Sequence, residues 1–237
     1  MTKANNSIVS VTLSPDMKIY ELIDAAPMLL SLFSRLNIHL PFGDISIAEM
    51  CKRDGYNAKL FMMLCAMHID SHYRPSNEEI TEDMLPEVIA YLRASHRYYA
   101  ERMLPHTARH LEEVLSHCDE LSARVLRRFY DDYAHYIKSH FEEEEREIFT
   151  LMERGGERDA NFALFDMPHA DIDDRSNDIA SLIVKSLPES APTSLRCDML
   201  KDVYELRDDL RRHTKVESMV LRPLVEMYIK SGDDETL

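Results

Sequence analysis

Ile137-Lys-Ser-His140-Phe-Glu-Glu-Glu144-Glu-Arg-Glu-Ile148 and Leu210-Arg-Arg-His213-Thr-Lys-Val-Glu217-Ser-Met-Val-Leu221 are the stretches whose reading decides the fold. Each places a histidine four residues before a glutamate, one turn apart on the same face of an α-helix. Each continues with apolar residues at helical spacing, Ile148 and Leu151 in the first and Leu221 and Leu224 in the second. Working outward, His96 precedes His140 by 44 residues and His169 precedes His213 by the same interval. An interval of that length describes one helical hairpin used twice. An HxxxE pair alone is near chance in a chain with 11 histidines, so the duplicated spacing carries the signal.

The segments that hold these residues read as helices. Asp83 to Leu104 is amphipathic and carries His96; Pro105 follows, and His106 to His117 either forms a separate helix or extends the first with a kink. Cys118 to Glu153 is long and periodic, with Leu121, Val125, Leu126, Phe129, Tyr133, Tyr136, Ile137, His140, Glu144 and Ile148 three or four residues apart, and it stops at Arg154-Gly155-Gly156. Phe162 to Leu187 carries His169, and Thr193 to Lys230 carries His213 and Glu217. Short connections between four such helices predict an antiparallel up-down bundle in which inward residues of all four meet at one level.

Ahead of the bundle, Arg74-Pro75-Ser76-Asn77 divides the chain, giving a small helical domain over residues 1–76 and a four-helix bundle over 77–237. In the small domain Ser14-Pro15-Asp16 is predicted to open a helix through Ala26 that ends or bends at Pro27. Leu29 to Leu36 forms a second, stopped by the turn residues up to Gly43. Ser46-Ile-Ala-Glu49 has a capping-box pattern, and Asn57 is placed to cap Ala58 to Ile69. Met62, Met63 and Met67 read as core filling.

Composition sets the outer bounds. Five glycines, no tryptophan and 30% charged residues suit long helices, and the fold class predicted is all-α. A net charge of −15 opposes close approach to nucleic acid or anionic lipid. The N-terminus lacks a secretory pattern and no run is long enough to span a membrane, so a cytoplasmic protein is expected. Cys51, Cys65, Cys118 and Cys197 include no CxxC pair and read as structural thiols of a reducing compartment.

The chemistry follows from the paired spacing. His140 with Glu144, and His213 with Glu217, each present a nitrogen and an oxygen donor to a common space. With His96 and His169 the set becomes four imidazoles and two carboxylates, suited to a pair of first-row ions that the carboxylates could bridge. Around it, Tyr99, Tyr136, Asp166, Asp173 and Asp209 fall three or four residues from a ligand and are candidates for an outer shell, although a solvated edge is the commoner fate of any one aspartate. Glu142, Glu143 and Glu145 read as solvent-facing charge. His106 and His110 share a helix face but have no carboxylate at matching spacing, so they and His117 read as surface histidines. His68 and His72, also four apart, offer at most an adventitious cation site.

On these residues the region 83–230 resembles the hemerythrin-like, HHE cation-binding bundle, and in particular the di-iron repair-of-iron-centres proteins, whose small N-terminal domain residues 15–70 resemble. The resemblance puts the family's lone histidines on His96 and His169 and its two HxxxE motifs on His140 with Glu144 and His213 with Glu217. It implies two iron ions in an oxo- or hydroxo-bridged centre, with four terminal imidazoles and two bridging glutamates. It further implies a role in nitrosative or oxidative stress, either repairing damaged iron–sulfur proteins or acting on nitric oxide or oxygen; a non-catalytic sensor or carrier of those gases is the alternative. A homodimer is left open, as is enzymatic turnover. One departure stands out: where the family carries adjacent cysteines before a glycine, this chain reads Leu40-Pro41-Phe42-Gly43. The thiol-dependent step of those proteins is therefore in question, whereas the metal ligands are all in place.

Overall fold

A computed structural model describes residues 12–154 and 163–233, with side chains at 12–150, 152–153 and 171–229. It is all-α: the described residues contain no strand, only an isolated antiparallel bridge between Lys18 and Ser46. None of their helices is long and apolar enough to cross a membrane. The chain divides into two compact units, Met1–Glu87 and Val88–Leu237.

The first unit contains α1 (Ile19–Ala25), α2 (Leu29–Arg35), α3 (Ile47–Asp54) and α4 (Ala58–Ile69). Ser14-Pro15-Asp16 does not open the first helix as its pattern suggests. The Met17 N–H instead donates to the Ser14 carbonyl at 3.1 Å, closing a turn, and extended Lys18 bridges to Ser46 before α1 begins. The bridge uses the Ile19 N–H on the Ile45 carbonyl and the Ile47 N–H on the Met17 carbonyl, which helix would have claimed otherwise. Pro27 ends α1 as expected, and Asn57 Oδ1 accepts from the first-turn N–H groups of α4. At α3 the capping box is complete: Ser46 Oγ accepts from Glu49 N–H at 3.2 Å and Glu49 accepts from Ser46 N–H at 2.7 Å. Ser46→Ala is therefore expected to destabilise this unit by about 1 kcal/mol, read as a lower urea midpoint with unchanged slope; an unchanged midpoint would contradict the capping role.

The second unit builds four long rods, three of them interrupted by one π-helical turn. The first rod is α5 (Leu85–Tyr98), a π turn (Tyr99–Met103) and α6 (Leu104–Leu115). Pro105 thus extends the helix rather than dividing it. A proline removes the N–H that the carbonyl four residues back would receive, and the wider turn directly before it absorbs that loss. The second rod is α7 (Glu120–Glu144), a π turn (Glu145–Phe149) and α8 (Thr150–Arg154). The third is α9 (Ala163–Ser186), and the fourth is α10 (Thr193–Val216), a π turn (Glu217–Leu221) and α11 (Arg222–Asp233).

The helices pack in a closed ring, α6 on α7, α7 on α9, α9 on α10 and α10 back on α6. Cross-links show each neighbouring pair antiparallel, because one residue number rises as the other falls. Leu104 meets Tyr130 while Glu112 meets Arg127, and Tyr133 meets Ser176 while Tyr136 meets Asp171. Tyr99 meets Asp209 while His110 meets Asp202. Leu126, Tyr130, Ile137, Ile179, Val203 and Leu210 fill the centre. Of the apolar stripe read along α7, Leu121 is 61% exposed and Phe129 41%, and Val125 is exposed as well. Leu121, Val125 and Phe129 sit four apart, and the last two stand one residue before inward Leu126 and Tyr130, about 100° away around a helix; spacing alone could not separate the two rows.

Candidate metal centre

Local sequence places the donors at helix positions with unusual geometry. His140 and His213 sit in regular α-helix, so Glu144 and Glu217 four residues on lie one turn away on the same face. A π turn then begins at the next residue after Glu144 and at Glu217 itself, and another begins three residues after His96. A π turn adds one residue to a helical turn and is found disproportionately at functional sites. All three rods whose donor side chains are described carry theirs beside such a turn, a feature without a signature in the HxxxE spacing.

Tertiary packing brings the donors together. The Nε2 atoms of His96 and His213 lie 3.1 Å apart. Glu217 Oε1 is 2.8 Å from His213 Nε2 and 3.9 Å from His96 Nε2, and Glu144 Oε2 is 3.4 Å from His96 Nε2. His96, Glu144, His213 and Glu217 each offer a donor atom within 4.8 Å of all the others. His140 adjoins this group through Glu144, Nε2 to Oε1 3.3 Å. All five residues are at most 5% exposed. Aromatic rings wall them in: Phe141 stacks on His96 at 4.2 Å, Phe149 lies parallel to the same imidazole at 5.5 Å, and Tyr99 meets His213 edge-on at 5.5 Å.

Electrostatics divides the two facing imidazoles. Burial pushes His96 toward neutrality, but its hydrogen bonds to Glu144, Glu145 and Glu217 outweigh it and raise its pKa to about 10. His213 moves down, because desolvation outweighs the attraction of Glu217. At 3.1 Å only one of these rings carries the additional proton, and the one surrounded by three carboxylates keeps it. Glu144 and Glu217 place two carboxyl groups out of water in an aromatic enclosure, where negative charge is costly. Divalent cations would offset that charge and displace the imidazole proton, and imidazole with carboxylate is a donor set that first-row ions accept. The residues fit a metal.

Of the six ligands read from sequence, His96, Glu144, His213 and Glu217 converge and His140 adjoins them; the side chain of His169, on α9, lies outside the described residues. The outer shell differs from the reading. Glu145, expected to face solvent, lies 2.9 Å from His96 Nδ1; a carboxylate only accepts, so Nδ1–H donates and fixes the ring. Glu145 lies one turn after Phe141, whose ring stacks on the same imidazole, so the helix face that carries Phe141 to His96 carries Glu145 there too. Tyr99 is fully buried and donates to the Asp209 carbonyl at 3.1 Å, while the Asp209 carboxylate pairs with Arg212. Asp173 pairs with Arg211, and Tyr136 donates to Asp171 under the Arg175 guanidinium. Asp166 lies outside the described side chains. His68 does not pair with His72: its Nδ1–H donates to the Leu64 carbonyl within its own helix.

The N-terminal loop is built on packing. Phe42 stands edge-on to Phe33 at 5.5 Å, and Phe33 in turn contacts Phe61. Cys51 and Cys65 are buried free thiols. Burial first, then the charge of Glu87, pushes Cys51 up to about 12, and burial pushes Cys65 well above the ordinary thiol range. Neither is a reactive thiolate at neutral pH.

The hemerythrin HHE cation binding domain matches residues 87–225, more than half of the chain and all of the cluster just described. The chain belongs to the hemerythrin HHE family. Domains of this family bind metal cations, typically iron, and small gaseous ligands such as oxygen. The matched residues of this HHE domain contain the buried cluster of His96, Glu144, His213 and Glu217. No curated protein matches the chain.

Proposed function

We propose that this HHE domain holds two iron ions with His96, His140, Glu144, His169, His213 and Glu217 as protein ligands, and that the protein serves a nitrosative or oxidative stress response in the cytoplasm. The observation that carries the reading is the convergence of two imidazole nitrogens and two carboxylates, all buried. Bound iron would supply redox-active positions for a diatomic ligand such as oxygen or nitric oxide. The chain's own residues prepare that chemistry. Glu145 fixes the His96 tautomer so that Nε2 faces the cluster. Phe141, Phe149 and Tyr99 keep bulk water from the donors. In this reading residues 77–237 carry the centre, and residues 1–76 form a helical module that docks damaged iron–sulfur proteins.

A second reading, reversible sensing or carriage of the same gases without turnover, is favoured by one specific observation. Phe42 is an aromatic anchor where the repair proteins carry reactive thiols, and the two thiols nearest in sequence are buried and protonated. Anaerobically isolated protein is expected to contain two iron ions per chain and to develop near-ultraviolet charge-transfer bands on exposure to air. Protein without iron that also fails to take up Fe²⁺ would sink both readings. Catalytic consumption of nitric oxide, or restored activity of a damaged cluster enzyme, selects the first; stoichiometric reversible binding alone selects the second.

A further inference from the structure

Outside the buried cluster, a second group of metal-binding side chains assembles at an open cleft of about 500 Å³. His106 and His110, one turn apart on α6, present their rings side by side with centroids 4.5 Å apart. Neither is followed by a carboxylate four residues on, but α10 brings Asp202 between them from 92 residues away. Asp202 Oδ2 lies 2.5 Å from His110 Nδ1 and 3.6 Å from His106 Nε2, and all three donor atoms fall within 4.8 Å of one another. The geometry points to a second metal site, in which His106 Nε2, His110 Nδ1 and an Asp202 oxygen bind one divalent ion such as Zn²⁺ and leave a coordination position open toward the cleft.

The distances suit such an ion. Tetrahedral zinc with ligands at about 2.0–2.1 Å spaces its donors by roughly 3.3 Å. The observed 3.6 Å is near that value, and the 2.5 Å contact opens by a small rotation of the partly exposed His110 ring against the Asp202 carboxylate. Two imidazoles and one carboxylate with a vacant position form a donor set that zinc and other borderline ions accept. Glu101 and Glu205 also line the cleft and favour a cation. Arg109 donates to His106 Nδ1 at 3.1 Å, which holds the proton on Nε2. Arg109 is exposed, so an incoming ion displaces it to solvent and the His106 proton moves to Nδ1. A simple ion pair between α6 and α10 would require one histidine; this cluster aims two at the same oxygen.

The test is a Zn²⁺ titration of the full-length protein by calorimetry, with iron content followed in parallel, on wild type, Glu217→Ala, His110→Ala and His106→Ala. One Zn²⁺ per chain is expected to bind in a process that survives Glu217→Ala, so it stands or falls separately from the buried centre. His110→Ala and His106→Ala should each weaken that binding by more than the roughly 10-fold that even an outer contact to a metal is worth, with iron content unchanged. His106 is exposed, so its variant keeps the test valid if His110→Ala misfolds. Co²⁺ in place of Zn²⁺ should give visible bands of a four-coordinate ion that both histidine variants lose. Zinc binding unaffected by either histidine variant, or none in wild type or in Glu217→Ala, would overturn the site.

Discussion

Replacing Glu217 with leucine is expected to lower iron content from the two ions per chain proposed above to one or none while making the metal-free protein more stable. The two effects have opposite sign for one reason. Glu217 is fully buried, with His213 at 2.8 Å and His96 at 3.9 Å, and it shares this enclosure with the buried carboxylate of Glu144. Leucine has nearly the same volume and no charge, so the cost of holding one of two neighbouring carboxylates out of water is removed. Replacing buried ionic groups by well-packed apolar ones is neutral or stabilising by about 1–4 kcal/mol. For a chain of this size each kcal/mol moves the midpoint by roughly 2–4 °C, so a rise of several degrees is expected for the metal-free variant. With metal present the order inverts, because wild type gains binding free energy that the variant cannot. Two measurements decide the matter, iron per chain and melting of the chelator-treated protein; wild-type iron content, or a lower metal-free midpoint, would refute the account.

Phe141→Ala should have the largest effect on stability. The ring is 3% exposed, stacks on His96 at 4.2 Å and contacts Tyr99 and His213, so it fills the space between imidazoles on different rods. Truncating a buried phenylalanine costs about 3–5 kcal/mol, because lost transfer energy and a residual cavity add. That corresponds to a fall of roughly 6–20 °C in the midpoint of the bundle. Removing the ring also frees His96 to rotate and admits water, so iron should dissociate faster from the variant than from wild type under a chelator. Phe141→Leu, which keeps most of the volume, should recover the larger part of the stability. A midpoint within 2 °C of wild type would mean that the pocket collapses around the alanine and that Phe141 does not hold the rings.

The bundle was legible because its evidence is local. Helical period, the i, i+4 pairs and the 44-residue interval each depend on backbone geometry that a helix fixes whatever surrounds it, and they led to Glu144, Glu217, His96 and His213, which meet in the structure. Local evidence misled where a competing partner lay elsewhere in the chain. Ser14-Pro15-Asp16 has the residues of a helix start, yet the bridge from Lys18 to Ser46 takes the backbone first. Leu121, Val125 and Phe129 repeat with helical period, yet rotation of α7 about its axis, set by its neighbours, turns them to solvent.

Sequence by itself determined an all-α chain, the caps at Ser46 and Asn57, the order of its bundle helices and the residue types able to hold a metal, because those properties are written in spacings of three and four. Tertiary structure alone decided which donors meet. His96 reaches His213 across 117 residues and His110 reaches Asp202 across 92, and Glu145 meets His96 across 49. Such contacts depend on the rotation and register of whole helices against one another, which the packing of the full core fixes and no local pattern records.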